Sequence, residues 1–345
     1  MHKYLAIISC VDAGSAKFLL PVIPLLKFEK LIFSSGSATK IFDSAGINHE
    51  NIDTSDWIGL QNVAENILKK KRPNIVICGT SWSLSLDKAL IVCARKLGIL
   101  TLSTVDHWRL VEERYVHSSL SSGNNDLTFI SDYVIVIDKK VKSLLENAGV
   151  NADRILLGGN PHLEHIEDTY LSLSEPDSHS DDDAKDVLFV SEIVRDDLPE
   201  YSYDEYIVLR DLSKLTNSQG FTMEIKLHPN EKLSKFSTLV SDSIIVKRDI
   251  DFLQMILKYK FIVGMDSMLL FELGICRTGV ISYRPNLVGE NRTLFDESSV
   301  ICIYDYDGLK NLLKNTNEEK PQYTKTYSGS SNLVAQHIYN LLELG

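Results

Sequence analysis

The chain reads as an α/β protein built of two Rossmann-like domains facing a central cleft. Three observations predict this. Short apolar runs alternate with helix-period segments from one end to the other, the pattern of parallel strands joined by crossover helices. The 345 residues exceed what one hydrophobic core usually carries. The alternation is broken once, by the acidic stretch Glu175-Pro-Asp-Ser-His-Ser-Asp-Asp-Asp183, which lacks any apolar period. The expected division is a first domain over 1–160, a linker with an acidic loop over 161–186, a second domain over 187–326, and a terminal helix over 327–345.

In the first set, Tyr4–Cys10 is a buried strand leading into Val11-Asp-Ala-Gly-Ser15. A helix over Ala16–Phe28 follows, shaped or interrupted by Pro21 and Pro24. Strand 31–33 leads to a helix ending before Gly46, and helix 60–71 ends at Arg72-Pro73. Strand 74–78 runs into Gly79-Thr80-Ser81, and helix 86–97 closes at Gly98. Strand 99–102 ends near Asp106-His107-Trp108, and strands 133–137 and 154–157 complete the set. The second set comprises strands 187–190, 223–227, 243–246, 261–263, 279–282 and 300–303, with helices 203–217, 251–259 and 268–273 between them. The segment 331–344 reads as a helix, and no fixed-period repeat is visible.

Composition narrows the function. Hydrophobic residues at 44% and charged residues at 24% are those of an ordinary folded protein and exclude a disordered or disulfide-scaffold chain. A net charge of −11 argues against nucleic acid as a partner, while leaving room for one basic pocket. The five cysteines form no CxxC pair and sit in apolar runs, as buried free thiols of a cytoplasmic protein do. Asp12, Gly14 and Lys17 split the apolar N-terminal stretches, unlike a secretory signal, and no window is long enough to span a membrane. The expected location is the cytoplasm, with contact at the inner face of a membrane as a further expectation. Lys69-Lys-Lys-Arg72 is the basic run that would touch anionic lipid, and equally the cationic end that a helix favours.

Ligands of open parallel sheets bind beyond the strand C-termini, so residues directly after strands carry the argument. In the second domain these are Lys226-Leu-His228-Pro229 and Gly264-Met-Asp266-Ser267. Strand alternation puts Lys226 and His228 on one face, and Pro229 fixes the turn. Ser267 stands where it can cap the next helix, whose first amides and dipole favour an anion. Together they suit a diphosphate; taken singly, Ser267 is a cap and His228 a turn residue.

These residues resemble the C-terminal domain of bacterial cell-surface glycosyltransferases of the two-domain GT-B type: the capsule polysialyltransferases, the Kdo transferases and the CDP-glycerol polymerases of teichoic acid synthesis. The resemblance lies in Lys226-x-His-Pro, followed some forty residues later by Gly264-x-Asp-Ser and Glu272. Residues 36–46, 73–79 and Gly158-Gly-Asn-Pro161 are similar to that class and to the UDP-N-acetylglucosamine 2-epimerases. The relatives often pair two serines where this chain has Ser267-Met268. The resemblance implies that the His-Pro and serine motifs hold the donor's nucleotide and phosphates, and that Glu272 accepts ribose hydroxyls; otherwise Glu272 is a helix-surface charge. Arg195 and Arg284, each after a strand, are further candidates for a phosphate or sugar carboxylate, with a surface ion pair as the plain alternative.

The first domain is then the acceptor side. Asp106 or His107 is the candidate base that deprotonates an acceptor hydroxyl, with Asp12 as rival. Arg114 would hold an anion, Gly14 and Ser15 would admit a ligand closely, and Thr80 and Asp87 line the next loop. The alternative has Asp106 capping a helix and Glu112-Glu113-Arg114 forming a solvated ion-pair face.

Several signals fail. No zinc spacing, no GxGxxG after the first strand, no Walker lysine and no GxSxG elbow occurs. Asp305-Tyr-Asp307 stands before a helix and reads as a cap rather than a DxD metal motif. The expected function is a metal-independent, cofactor-free glycosyltransferase of surface polysaccharide or lipopolysaccharide assembly. It would move a sugar from an activated donor to a glycan or lipid-linked acceptor. The alternatives are a nucleotide-sugar epimerase or hydrolase on the same fold, a phosphoribosyl-diphosphate-dependent transferase, or a non-catalytic assembly subunit.

Overall fold

A computed structural model describes every residue except 1–3, 55, 117–126, 172, 174–184, 239–243, 288–299, 315–324 and 345. The acidic run 175–183 therefore lies outside the described residues. The elements in chain order are β1 (Leu5–Cys10), α1 (Ala13–Leu19), β2 (Glu29–Ser34), α2 (Gly36–Ser44), β3 (Glu50–Asn51), α3 (Trp57–Lys71), β4 (Ile75–Cys78), α4 (Leu86–Leu97), β5 (Leu100–Val105), β6 (Tyr133–Val136), α5 (Lys139–Asn147), β7 (Ile155–Leu157) and α6 (Pro161–Tyr170). They continue as β8 (Lys185–Val190), α7 (Val194–Asp197), α8 (Glu205–Gln219), β9 (Met223–Lys226), β10 (Ile244–Lys247), α9 (Phe252–Lys258), β11 (Tyr259–Gly264), α10 (Met268–Cys276), β12 (Val280–Tyr283), β13 (Ile301–Ile303), α11 (Tyr306–Lys314) and α12 (Ser330–Leu344).

The described strands form two sheets, in the orders β3-β2-β1-β4-β5-β6-β7 and β10-β9-β8-β11-β12-β13. Every pairing is parallel. Counted within each sheet, the second follows the doubly wound order 3-2-1-4-5-6 and the first the same order with a seventh strand added, so the order reverses between β1 and β4 in the first and between β8 and β11 in the second. At such a reversal the flanking crossovers pass to opposite faces, opening a crevice beyond the strand ends. The two-Rossmann-domain, GT-B-like class expected from the sequence is the class observed.

The chain divides into two compact units: Met1–His165 with Thr326–Gly345, and Ile166–Lys325. Local chemistry sets the element ends. The carboxylates of Asp56, Asp138, Asp204 and Asp251 accept from amides in the first turns of α3, α5, α8 and α9. Gly98 and Gly220 end α4 and α8 in the left-handed conformation. Asp305 accepts from Gly308 N at 2.7 Å, which is the cap anticipated for Asp305-Tyr-Asp307. The basic run 69–72 is the exposed C-terminal end of α3, where Lys69 pairs with Glu65 one turn back.

The structure adds detail to three expectations. The helix expected over 16–28 starts at Ala13, stops at Leu19 and gives way to a 3-10 turn at Ile23–Leu25, because Pro21 and Pro24 supply no N–H for a continuing helix. The segment 161–186, expected as linker, begins with α6. The terminal helix α12 is part of the first unit: Glu164 accepts from Ser331 N at 2.8 Å, His337 Nε2 lies 2.9 Å from Leu157 O, and Tyr339 packs edge-on against Phe28. Gly158-Gly159 makes this approach feasible. A Cβ on Gly158 would stand 2.9 Å from Val334, and one on Gly159 2.2 Å from the Ser330 hydroxyl.

Candidate functional site

In the first unit the reversal places the loops after β1 and β4 side by side, with the loop after β5 next to them. Arg114 joins two of these loops. Its Nη1 donates to Asp106 Oδ1 at 2.9 Å, to Thr80 Oγ1 at 3.0 Å and to Thr80 O at 3.3 Å. The ion pair is largely buried, with side-chain exposures of 8% and 15%, so neither residue belongs to a solvated face and Asp106 caps no helix. The other Asp106 oxygen lies against Gly14, where a Cβ would sit 2.0 Å from Oδ2, and only glycine leaves room for it. Ser15 is buried and donates to Asp12 O at 2.9 Å. The structure thus brings together Asp12, Gly14, Ser15, Thr80, Asp106 and Arg114.

Asp12 occupies the N-cap position of α1 without capping through its side chain; Ser37 Oγ accepts from Ala13 N instead. Its carboxyl is left for other work. Crowding by protein, and then the charge of Asp106, raise its pKa, while Arg114 and Lys88 oppose the shift. Asp106 is committed to Arg114, so Asp12 has the stronger geometry for proton exchange. His107 Nδ1 accepts from Arg109 N at 3.0 Å, and desolvation lowers its pKa to about 4. At neutral pH it is an uncharged ring with the proton on Nε2, better suited to donating a hydrogen bond than to taking a proton.

Lys88 was not singled out in the sequence, and Asp87 only as a loop residue. Both are almost fully buried in the first turn of α4. Ser9 Oγ donates to Asp87 Oδ1 at 2.6 Å while Oδ2 has no partner, and burial raises the Asp87 pKa well above the usual carboxylate range. Lys88 Nζ donates to Trp82 O at 2.9 Å and lies 5.1 Å from the Phe129 ring; burial lowers its pKa to about 8 against the pull of Asp12 and Asp87. The available signal was a charged pair opening an otherwise apolar helix directly after a strand-end loop.

In the second unit the adjacent ends of β9, β8 and β11 carry the polar groups. The loop after β9 is held tightly: His228 N donates to Glu231 Oε2 at 2.7 Å, and Arg248 Nη1 donates to Pro229 O at 2.9 Å. His228 Nδ1 accepts from Asn230 N at 3.3 Å, leaving the ring proton on Nε2, and burial lowers the imidazole pKa. Lys226, half-buried at the end of β9, is one alternation away from His228, with buried Leu227 between them. After β8, Glu192 accepts from Met265 N and Asp266 N at 2.9 Å each, fixing the backbone that enters α10. Ser267 is the N-cap residue, yet its hydroxyl makes no cap bond and is buried without a partner. The expected capping role of that side chain is corrected accordingly.

The outer candidates separate. Arg195 is an exposed ion pair with Asp204, at 2.8 and 2.6 Å, stacked 4.1 Å from the Tyr206 ring centre. Arg284 is 1% exposed rather than a surface residue, and its Nη2 donates to Tyr304 OH at 3.2 Å. Glu272 is 4% exposed, which removes the helix-surface reading, and Asp266 is likewise buried. Sequence reasoning missed Glu192 and Glu231. Among the described residues no group of three or more His, Cys, Asp or Glu could hold a metal ion, and no helix is long and apolar enough to cross a membrane.

No protein-family model and no curated protein sequence matches the chain. Solved structures do. The chain is similar to the S. aureus MnaA–UDP co-structure, with a TM-score of 0.70, 14% identity and coverage of 99% of this chain and 98% of that one. It is similar to the UDP-GlcNAc 2-epimerase of Neisseria meningitidis bound to UDP-GlcNAc, with a TM-score of 0.66, 15% identity and coverage of 97% and 100%. The lipopolysaccharide outer core galactosyltransferase WaaB matches at a TM-score of 0.51 and 13% identity, with 99% of each chain covered. These likenesses establish a fold shared by nucleotide-sugar epimerases and glycosyltransferases.

Proposed function

We propose that this protein is a nucleotide-sugar enzyme that breaks the bond between an anomeric carbon and a diphosphate leaving group. Epimerisation or hydrolysis of the sugar is placed ahead of transfer. The observation that carries the reading is the set of donors at the ends of β9 and β11, which flank β8: the His228 imidazole, the unbonded Ser267 hydroxyl and the first turn of α10. The leading amides of a helix have no intrahelical partner, and with its dipole they stabilise a phosphate as negative charge builds on it. Lys226 adds a cation at the same strand end. The neighbours solved with UDP and with UDP-GlcNAc support the ligand class, and their higher TM-scores support the order of the two outcomes.

The first unit, taken by itself, carries the groups suited to proton exchange. Burial and the charge of Asp106 raise the pKa of the Asp12 carboxyl, which favours it as the group that takes up and returns a proton. Arg114 keeps Asp106 oriented, and His107 serves as a neutral donor. In the second reading, favoured by WaaB, Asp12 or Asp106 would accept the proton of a glycan or lipid-linked hydroxyl.

The test is incubation with UDP-GlcNAc and with CMP- and CDP-activated sugars, without acceptor, followed by NMR in D2O. The expected outcome is an epimer carrying solvent deuterium at the inverted carbon, or a free sugar with stoichiometric nucleotide. Turnover that starts only when a glycan or lipid-linked acceptor is added establishes the transferase reading instead. Absence of binding to every nucleotide overturns both.

A further inference from the structure

We infer that Glu231 is a positioning residue that sets the orientation and tautomer of His228 through the main chain. The inference rests on the second unit being the diphosphate-binding half. Glu231 is 5% exposed, and its carboxylate is saturated from below. Oε2 accepts from His228 N at 2.7 Å; Oε1 accepts from Ser191 Oγ at 2.8 Å and from Lys235 Nζ. Glu231 N in turn donates to His228 O at 2.9 Å, closing the turn reciprocally. Glu231 can therefore act on a ligand only by fixing what carries the imidazole.

The turn also selects the ring's proton. With residues 228–231 closed, Asn230 N points at His228 Nδ1, which accepts, and Nε2 retains its hydrogen for an anionic oxygen. The brace extends further. Lys235 Nζ also donates to Glu205 Oε1 at 2.6 Å, and the fully buried Glu205 accepts from Val194 N and Arg195 N at 3.1 Å each through Oε2. The loops after β8 and β9 are thus tied to the start of α8 by one chain of charge-assisted bonds, which exceed neutral ones in strength. Arg248 Nη2 donates to Glu231 O at 2.7 Å and holds the same turn from outside.

The experiment measures UDP and pyrophosphate affinity by calorimetry for wild type, Glu231→Gln, His228→Ala and the double variant, with 15N spectra of histidine-labelled protein. Glu231→Gln is expected to weaken UDP binding about tenfold, the scale of one charged hydrogen bond. In the His228→Ala background it should cost less than about twofold, because coupled residues are not additive. The wild-type spectrum should show His228 with its proton on Nε2, and Glu231→Gln should mix the tautomers. Lys235→Met cuts the ionic chain while sparing the bonds to His228 and Ser191; it should lower stability and leave the tautomer alone. Equal affinity losses in both backgrounds overturn the inference, as does an Nδ1-protonated wild type, which needs no variant. A Lys235→Met protein that reproduces the Glu231→Gln loss overturns it too. If neither UDP nor pyrophosphate binds wild type, the diphosphate reading fails and the tautomer spectra alone decide the role of Glu231.

Discussion

The two sheets share one strand order over their first six strands, yet several buried ionisable groups near their reversal points differ in how they are partnered. In the first unit Asp87 is raised and Lys88 and His107 lowered, because burial outweighs the partners each side chain finds. In the second unit the buried carboxylates of Glu192, Glu205 and Glu231 are met by backbone amides or by Lys235. Burial with few partners leaves a proton easy to move, whereas burial with many leaves a loop hard to move. The same strand order therefore carries sparsely partnered ionisable groups at one sheet and a closely bonded set of loops at the other.

The sharpest way to break this contrast is Arg114→Met. It strands Asp106 in a mostly buried setting, and loss of one partner from such a pair costs roughly 3–5 kcal/mol, read as a lower midpoint in urea. Next is Gly14→Ala, whose Cβ would fall 2.0 Å from Asp106 Oδ2. Pushing that carboxylate aside by about 1 Å is expected to cost on the order of 100-fold in kcat, with nucleotide affinity unchanged. Calorimetry with UDP separates the two effects.

The pH dependence of stability sharpens the comparison from the other side. Folded Asp87 binds its proton more tightly than the unfolded chain does, so its contribution falls as pH rises from the ordinary carboxylate range through the raised pKa. Lys88 behaves in the mirror sense. Its folded pKa near 8 lies below the usual lysine value, so stability grows with pH between about 8 and 10. Asp87→Asn and Lys88→Met should each flatten their own window in urea titrations across pH. The smallest effect is reserved for Arg195→Ala. An exposed pair with Asp204 is worth about 0.2–1 kcal/mol, and UDP affinity should stay within about twofold.

Much of the fold was legible because β-branched runs such as Ile75–Cys78 and Phe261–Val263 can satisfy burial only as central parallel strands. The rule that ligands sit beyond strand ends then singled out Asp12, Thr80, Asp106, Lys226, His228 and Ser267 as candidates, and each stands at or just after a strand end. The missing pieces share a cause: their meaning depends on partners far along the chain. Glu192 reads as an ordinary loop acid until Met265, 73 positions later, donates to it. Arg195 and Arg284 look alike in sequence, both following strands, and only packing makes one a surface pair and the other a buried guanidinium. Nothing in 331–344 reveals which core its apolar face covers.

The return of α12 has a developmental consequence. Ile166–Lys325 is an insert in a domain whose last helix is made only after the insert has been synthesised. The insert's own ends are clipped together by the Lys325–Asp168 pair at 2.6 Å. On the ribosome the second-born lobe can therefore be complete before the earlier one receives its last helix.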